Sequence, residues 1–320
     1  MSKSTNFIGI DISQKVFDVW SKEFGHKQFK NNQQGFENFA LLLDDKSWCV
    51  MEFTASYYQH LAIFLYQNGV KVSIVNPLVI KRFIQMKLQH NKTDKSDAKM
   101  MVQYASEQKL VAWQPNPQYI NECKDLHTTI SLFFKQLTAL KNKHHSLVSK
   151  GVKGKILTSI KRQVRQLEKE INLLETELEI RIKDNEPEML TNISSIAGIG
   201  KKTAMMLIAC TNGFKTFDNP NQISAFFGLA PVETTSGTSV RGKPRISKKG
   251  YPLMRNYLFM CSFTACKNNP QCKALYDRIV AKGKSKKLAL IAVANKLVKQ
   301  AFAIAKSGIP YNPEYKSVLN

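Results

Sequence analysis

Among its six cysteines (Cys49, Cys123, Cys210, Cys261, Cys266 and Cys272) the sequence has no Cys-x-x-Cys pair, and most of them sit inside apolar stretches. A free thiol in such a setting packs as a small hydrophobe, so the spacing argues against a zinc site. Long apolar runs are also missing. The longest near the C-terminus, Leu288 to Ala294, is far too short to span a bilayer, and Lys296 and Lys299 interrupt the chain just beyond it. The opening MSKSTNFIGID enters a strand at once and leaves no room for a signal peptide. No solenoid repeat is visible, and no Walker A loop: that pattern needs a glycine where Ser195 stands and Ser or Thr where Lys202 stands. The expectation is a reduced, cytoplasmic protein with no membrane partner.

Acidic residues are scarce where basic ones are dense. Residues 1–110 carry 14 Lys/Arg against 10 Asp/Glu, residues 111–190 carry 13 against 10, and residues 191–320 carry 20 against 4. The formal net charge of +23 is therefore concentrated in the last 130 residues. A charge excess of this size implies a polyanionic partner, most commonly nucleic acid, and hence a nucleoid-associated location.

The hydrophobic pattern changes twice along the chain. Three short β-like runs, Phe7 to Ile10, Val16 to Trp20 and His26 to Phe29, predict an antiparallel meander. A helix over Gly35 to Leu43, a strand over Trp48 to Phe53, a helix over Tyr57 to Gln67, a strand over Val70 to Val75, a helix over Leu78 to Lys87 and another from about Thr93 complete a βββαβαβα order. That order is the one of a ribonuclease-H/RuvC-like α/β domain, assigned to residues 1–115. Residues 116–188 form a second, all-α region. Leu126, Ile130, Phe133, Leu137, Leu140, His144 and Leu147, and then Ile160, Val164, Leu167, Ile171, Leu174 and Leu178, repeat in steps of four and three. Such a seam predicts a coiled-coil helical hairpin broken at Gly151 and Gly154, either a self-packed spacer or a dimerisation arm. Residues 189–320 read as mostly helical, interrupted by a loop of about twenty residues from Leu229 to Gly250.

Four acids carry the most chemical information. Asp11 closes the apolar run Phe7-Ile8-Gly9-Ile10, and Glu52 follows Trp48-Cys49-Val50-Met51. Carboxylates on buried strands need a compensating charge, and the fold order makes these two strands neighbours. Asp94 and Asp97 sit three apart at a helix start and project from one face; taken alone they are explained as well by Asp94 capping the helix and Asp97 facing its dipole. Together the four make an all-oxygen donor set without His or Cys, suited to Mg2+ or Mn2+.

Two further segments suit polyanions. In Ser195-Ile196-Ala197-Gly198-Ile199-Gly200-Lys201-Lys202, the glycines Gly198 and Gly200 precede a helix N-terminus and two lysines, Lys201 and Lys202, as in a helix-hairpin-helix element that holds phosphate. The alternative is an ordinary glycine-rich connection. In the loop, the Ser236-Gly237 pair lies among Arg241, Lys243, Arg245, Lys248 and Lys249, a setting for phosphate oxygens. Composition alone does not choose Ser236 over Thr234, Thr235, Ser239 or Ser247 as a reacting hydroxyl, and it favours a basic loop that contacts backbone phosphates.

FIGIDIS, the MEFTASYY segment, NKTDKSDA, SSIAGIGKKTA, FFGLAPVETTSGTSVRGKPRISKKG and KSGIPY together resemble, in order and over nearly the whole chain, the motifs of the insertion-sequence transposases with an acidic RuvC-like quartet. These are the bridge-RNA-guided recombinases related to Piv-type DNA invertases. The resemblance implies that Asp11, Glu52, Asp94 and Asp97 bind metal and that Ser236 is the nucleophile. It also implies a homo-oligomer, dimer or tetramer, in which the RuvC-like domain of one subunit meets the serine domain of another, with donor DNA, target DNA and a structured guide RNA as partners. One departure is visible: relatives commonly carry glycine where this chain has Ala55.

The expected activity is DNA transposition or site-specific recombination through a serine–DNA ester assisted by divalent metal. Two other readings compete with it. One is a metal-dependent nuclease or junction resolvase that uses water and leaves Ser236 a phosphate contact; the other is a non-catalytic nucleic-acid scaffold, against which the intact quartet argues.

Overall fold

A computed structural model describes residues 5–53, 57–88, 93–232, 235–236, 240–241, 245–246 and 250–314, and the chain divides into two compact units, Met1–Pro115 and Asn116–Asn320. In the first unit, β1 (Asn6–Ile12), β2 (Val16–Ser21) and β3 (Gly25–Lys30) form the antiparallel meander. After α1 (Gln33–Ala40), β4 (Ser47–Glu52) returns parallel to β1. After α2 (Gln59–Gln67), β5 (Lys71–Val75) adds parallel to β4. The sheet order β3-β2-β1-β4-β5 is mixed, consistent with the expected ribonuclease-H-like domain. Two helices, α3 (Pro77–Met86) and α4 (Asp94–Glu107), follow.

Strand alternation divides the first unit's core into two. Ile8, Ile10, Phe17, Val19, Cys49 and Met51 point to one face and pack on Phe36, Phe39, Leu61 and Leu65 of α1 and α2. Val50 and Val75 point to the other and pack on Ile80 of α3 and on Met101 and Ala105 of α4. Gly9 lies on this second face, and α4 sits so close to it that a β-carbon at Gly9 would fall 1.9 Å from the Ala98 carbonyl oxygen. The absence of a side chain there is what lets α4 lie flat on β1.

In the second unit, α5 (Gln118–Ser149) and α6 (Lys155–Asn185) pack on each other along the apolar seam, with Ile130, Leu137, Ile171, Leu178 and Ile182 buried between them. Ion pairs Glu122–Arg181 and Lys141–Glu168, both 2.7 Å, join early to late positions and set the pair antiparallel. The seam continues into one hydrophobic core with α7 (Pro187–Ser194), α8 (Lys201–Thr211), α9 (Pro220–Phe226), α10 (Pro252–Asn268), α11 (Pro270–Ala281) and α12 (Lys286–Ser307). By length and composition α12 would cross a bilayer, but half of its most apolar stretch is buried in this unit, with Val293, Ala294, Leu297, Val298 and Ala301 fully enclosed. The apolarity of α12 is that of a central core helix.

The segment between α9 and α10 differs from the loop expected of it. β6 (Pro231–Val232) pairs antiparallel with β9 (Arg245–Ile246), and inside them β7 (Thr235–Ser236) pairs with β8 (Val240–Arg241). The described residues of this segment are therefore extended and paired antiparallel, where the sequence read only a loop.

Candidate functional site

The parallel register of β1 and β4 runs from Asn6–Ser47 to Ile10–Met51, so its next step sets Asp11 beside Glu52 at the ends of the two strands. Both point to the sheet face that α4 covers. The close contact at Gly9 and Ala98 brings the first turn of α4, with Asp94 and Asp97, to the same end of the sheet. The structure therefore places Glu52, Asp94 and Asp97 within electrostatic reach of Asp11 at one end of the sheet. Asp11 registers the consequence: its carboxyl is pushed up to about 6, first by burial and then by the negative charges of Asp94, Asp97, Glu52 and Asp18.

Asp94 does not cap α4. The cap is Thr93, whose hydroxyl accepts from the Ser96 amide (3.1 Å) while the Ser96 hydroxyl accepts from the Thr93 amide (2.9 Å). Asp94 and Asp97 are thus excused from capping, and both lie in the first turn, where the helix dipole favours negative charge.

Asp18 was not anticipated. It lies opposite Asp11 in the antiparallel β1–β2 register, on the same sheet face, and is 5% exposed. Its carboxylate lies 2.7 Å from His26 Nε2 and accepts from Gln28 Nε2 at 3.1 and 3.2 Å, both on β3. Nothing in the Val16 to Trp20 run marks Asp18 as part of a site. It is buried because α4 also covers β2, where Lys99 reaches over the Trp20 ring.

Among the described residues no three His, Cys, Asp or Glu side chains stand close enough together to hold an ion. The donor chemistry nevertheless fits a divalent metal. All four acids supply oxygen, and the raised Asp11 carboxyl marks a negative field at this end of the sheet that a hard cation would oppose. Residues 54–56, including Ala55, lie outside the described residues, so the departure at that position has no structural account.

The serine segment is described through its backbone. Ser236 lies on β7 opposite Val240, with Thr235 opposite Arg241. Arg245 is exposed on β9; Gly237, Ser239, Lys243, Ser247, Lys248 and Lys249 lie outside the described residues. Tyr251, directly after the segment, reaches His127 of α5 (hydroxyl to Nδ1, 3.4 Å). His127 is buried and held neutral, its pKa pushed down to about 4 by burial and by Lys202.

The Gly198–Lys202 segment connects α7 to α8 as a helix-hairpin-helix element would, but its residues have internal duties. Gly198 adopts φ +109°, and a β-carbon there would lie 2.6 Å from the Ala265 β-carbon, so this glycine admits α10. Gly200 is the N-cap of α8 without a side-chain hydrogen bond. Lys201 pairs with Glu179 at 2.5 Å, and Lys202 pairs with Glu175 and lies 4.4 Å from the centre of the Phe134 ring. Both lysines tie α8 to the helical hairpin, a role the local pattern gave no sign of because the partner carboxylates lie more than twenty residues away.

Comparison with known proteins adds an independent line. Residues 8–151 match the DEDD-type transposase family of IS110 elements, and residues 190–277 match the transposase IS116/IS110/IS902 family. The pilin gene-inverting protein of Moraxella bovis is 28% identical over 97% of this chain and 98% of its own length. The transposase for insertion sequence element IS1111A of Coxiella burnetii is 23% identical over 92% of this chain and 88% of its own. An uncharacterized 43.6 kDa protein of insertion element IS110 from Streptomyces coelicolor is 28% identical over 48% of this chain.

Proposed function

This chain carries the two transposase domains of the IS110 family and is a DNA-cutting and rejoining enzyme, and from that premise we propose that it mobilises or inverts DNA by transesterification through a serine–DNA ester. The observation that carries the reading is the gathering of Glu52, Asp94 and Asp97 around Asp11 at one end of the sheet.

Asp11, Glu52, Asp94 and Asp97 would hold the divalent metal, Mg2+ or Mn2+, which when bound stabilises charge developing on the scissile phosphate. The chain's own residues supply the rest. Ser236 Oγ forms a bond to phosphorus as the DNA 3′ or 5′ oxygen leaves with a proton, and the hydroxyl proton passes to a base. The energy of the phosphodiester is conserved in the protein–DNA ester, so the reaction runs without ATP. The strands are rejoined when a DNA hydroxyl displaces Ser236 from phosphorus. Arg241 and Arg245, with Lys243, Lys248 and Lys249, suit the phosphate oxygens on either side.

Guidance by a structured RNA and assembly into a dimer or tetramer belong to the same reading. They are supported by the motif resemblance and by the concentration of positive charge in residues 191–320. The experiment is to purify the protein with its bound nucleic acid and incubate it with DNA and Mg2+. A protein–DNA species that survives denaturation is expected. Clean cleavage without one would transfer the reading to a water-using nuclease, and loss of targeting only on ribonuclease treatment would establish the guide.

A further inference from the structure

A cavity of about 270 Å³ opens beside the serine segment, between α10 and α12. Its volume lies just below the roughly 300–1,000 Å³ of pockets for drug-sized ligands. It is therefore a site for one small planar group and excludes a duplex. Arg255, Asn256 and Phe259 from α10 form one wall, Lys287 and Ile291 from α12 the other, and Ile246 on β9 closes the side toward the serine segment.

The chemistry of these walls differs from that of an ordinary crevice between helices. Phe259 is half-buried, packs edge-on against Phe263 (ring centres 5.3 Å apart) and lines the cavity together with the aliphatic Ile291 and Ile246, an aromatic surface on which a base can stack. Asn256 is exposed at the rim and carries both a donor and an acceptor, the complement of a base edge. Lys287 is exposed, with no carboxylate paired to it among the described residues. Arg255 donates through one guanidinium nitrogen to the Phe227 carbonyl at 3.1 Å, which fixes a cation at the wall instead of leaving it mobile on the surface. With Leu229 and Ala294 completing an apolar floor, two cations, an amide and an aromatic ring at the walls supply the groups that hold a base and its phosphate.

We propose that this pocket takes one unstacked nucleotide of the DNA strand being cut. The position of β9 argues for DNA at this place, since β9 belongs to the same segment between α9 and α10 as Ser236. A nucleotide turned out of the helix here would anchor the strand next to the phosphate that the serine attacks, and withdrawing it from the stack would loosen the duplex locally. The inference rests on the proposed role of the serine segment for its meaning, but binding itself needs neither metal nor an active Ser236.

The test uses the full chain in chelated buffer with a single-stranded DNA oligonucleotide carrying one 2-aminopurine. Binding should change the 2-aminopurine fluorescence through stacking on Phe259, and Ser236→Ala should give the same change. Phe259→Leu should remove the signal and weaken binding roughly ten-fold, whereas Met260→Ala, one residue along α10, should leave both intact. In a second arm, a 4-thiothymidine oligonucleotide is photocrosslinked to wild-type protein, and the attached peptide should contain Asn256 and Phe259. Attachment elsewhere, or an unchanged signal in Phe259→Leu, overturns the pocket. An RNA oligonucleotide of the same sequence that binds there more tightly than DNA overturns the assignment to the cut strand. Loss of the serine–DNA ester with the fluorescence signal intact would count against the catalytic reading and leave the pocket standing.

Discussion

Asp11 is a half-buried carboxyl among four other negative groups, and the rise of its pKa to about 6 gives the metal-free protein a definite pH dependence. An unfolded chain releases this proton near 3.8, whereas the folded chain keeps it to about 6. The stability associated with neutral Asp11 is therefore fully present below about 4 and is lost as pH rises through about 6. Asp11→Asn should remove that loss: in chelated buffer at pH 7 the variant should melt no lower than wild type, while DNA cleavage is abolished. Mg2+ should raise the wild-type melting temperature at pH 7 and leave Asp11→Asn unmoved. A variant that melts well below wild type, or that still gains from Mg2+, would contradict the electrostatic account. Asp18→Asn is a second check, because it removes one of the charges acting on Asp11. The Asp11 carboxyl, followed by carbon-13 NMR, should titrate at lower pH in that variant. Asp11 and Glu52 were legible in the sequence because a charge at the end of an apolar run stands out. Asp18 was not, since its burial depends on a helix about eighty residues further on.

Elements were legible in proportion to their length. The seams over Leu126–Leu147 and Ile160–Leu178 gave both long helices and their antiparallel packing, because thirty residues carry enough repeats to define a face. The serine segment, rich in small, hydroxyl and basic residues, carried no such repeat and read as a loop. The start of α4, expected near Thr93, falls at Asp94 with Thr93 as its cap; the alternative of Asp94 as the cap is the one that fails. Two substitutions test element packing. Gly9→Ala sets a β-carbon against the Ala98 carbonyl and should destabilise the first unit by roughly 1–3 kcal/mol or more, read as a lower melting temperature together with weaker metal binding, since α4 carries two of the acids. Unchanged melting would mean α4 is not seated on β1 as described. Replacing Leu167 and Leu174 with glutamate places charge in the α5–α6 seam and should lower helicity. If the arm also joins subunits, the mass by light scattering should fall; unchanged helicity and mass would remove these residues from the seam.

At the scale of the whole molecule, the separation of charge and acids is the leading feature. The acid cluster occupies the first compact unit, and most of the positive excess lies in residues 191–320 of the second. Nucleic-acid affinity should accordingly fall linearly in log–log form with salt, and the fragment Asn116–Asn320 should retain much of the non-specific binding. A folded fragment that binds neither DNA nor RNA at low salt would move the footprint elsewhere. Lys201 and Lys202, which the local motif offered as phosphate contacts, are paired with Glu179 and Glu175. Neutralising them should therefore cost the packing of α8 on the helical hairpin more than it costs salt-dependent binding. The central claim, that Ser236 becomes esterified to DNA, is tested most directly by mapping the attachment site. Wild-type protein with Mg2+ and DNA should yield a denaturation-resistant adduct whose DNA-bearing peptide carries the modification on Ser236, and Ser236→Ala should bind DNA and RNA but form no adduct. Cleavage by wild type with no adduct at all, or an adduct that persists in Ser236→Ala, would contradict it.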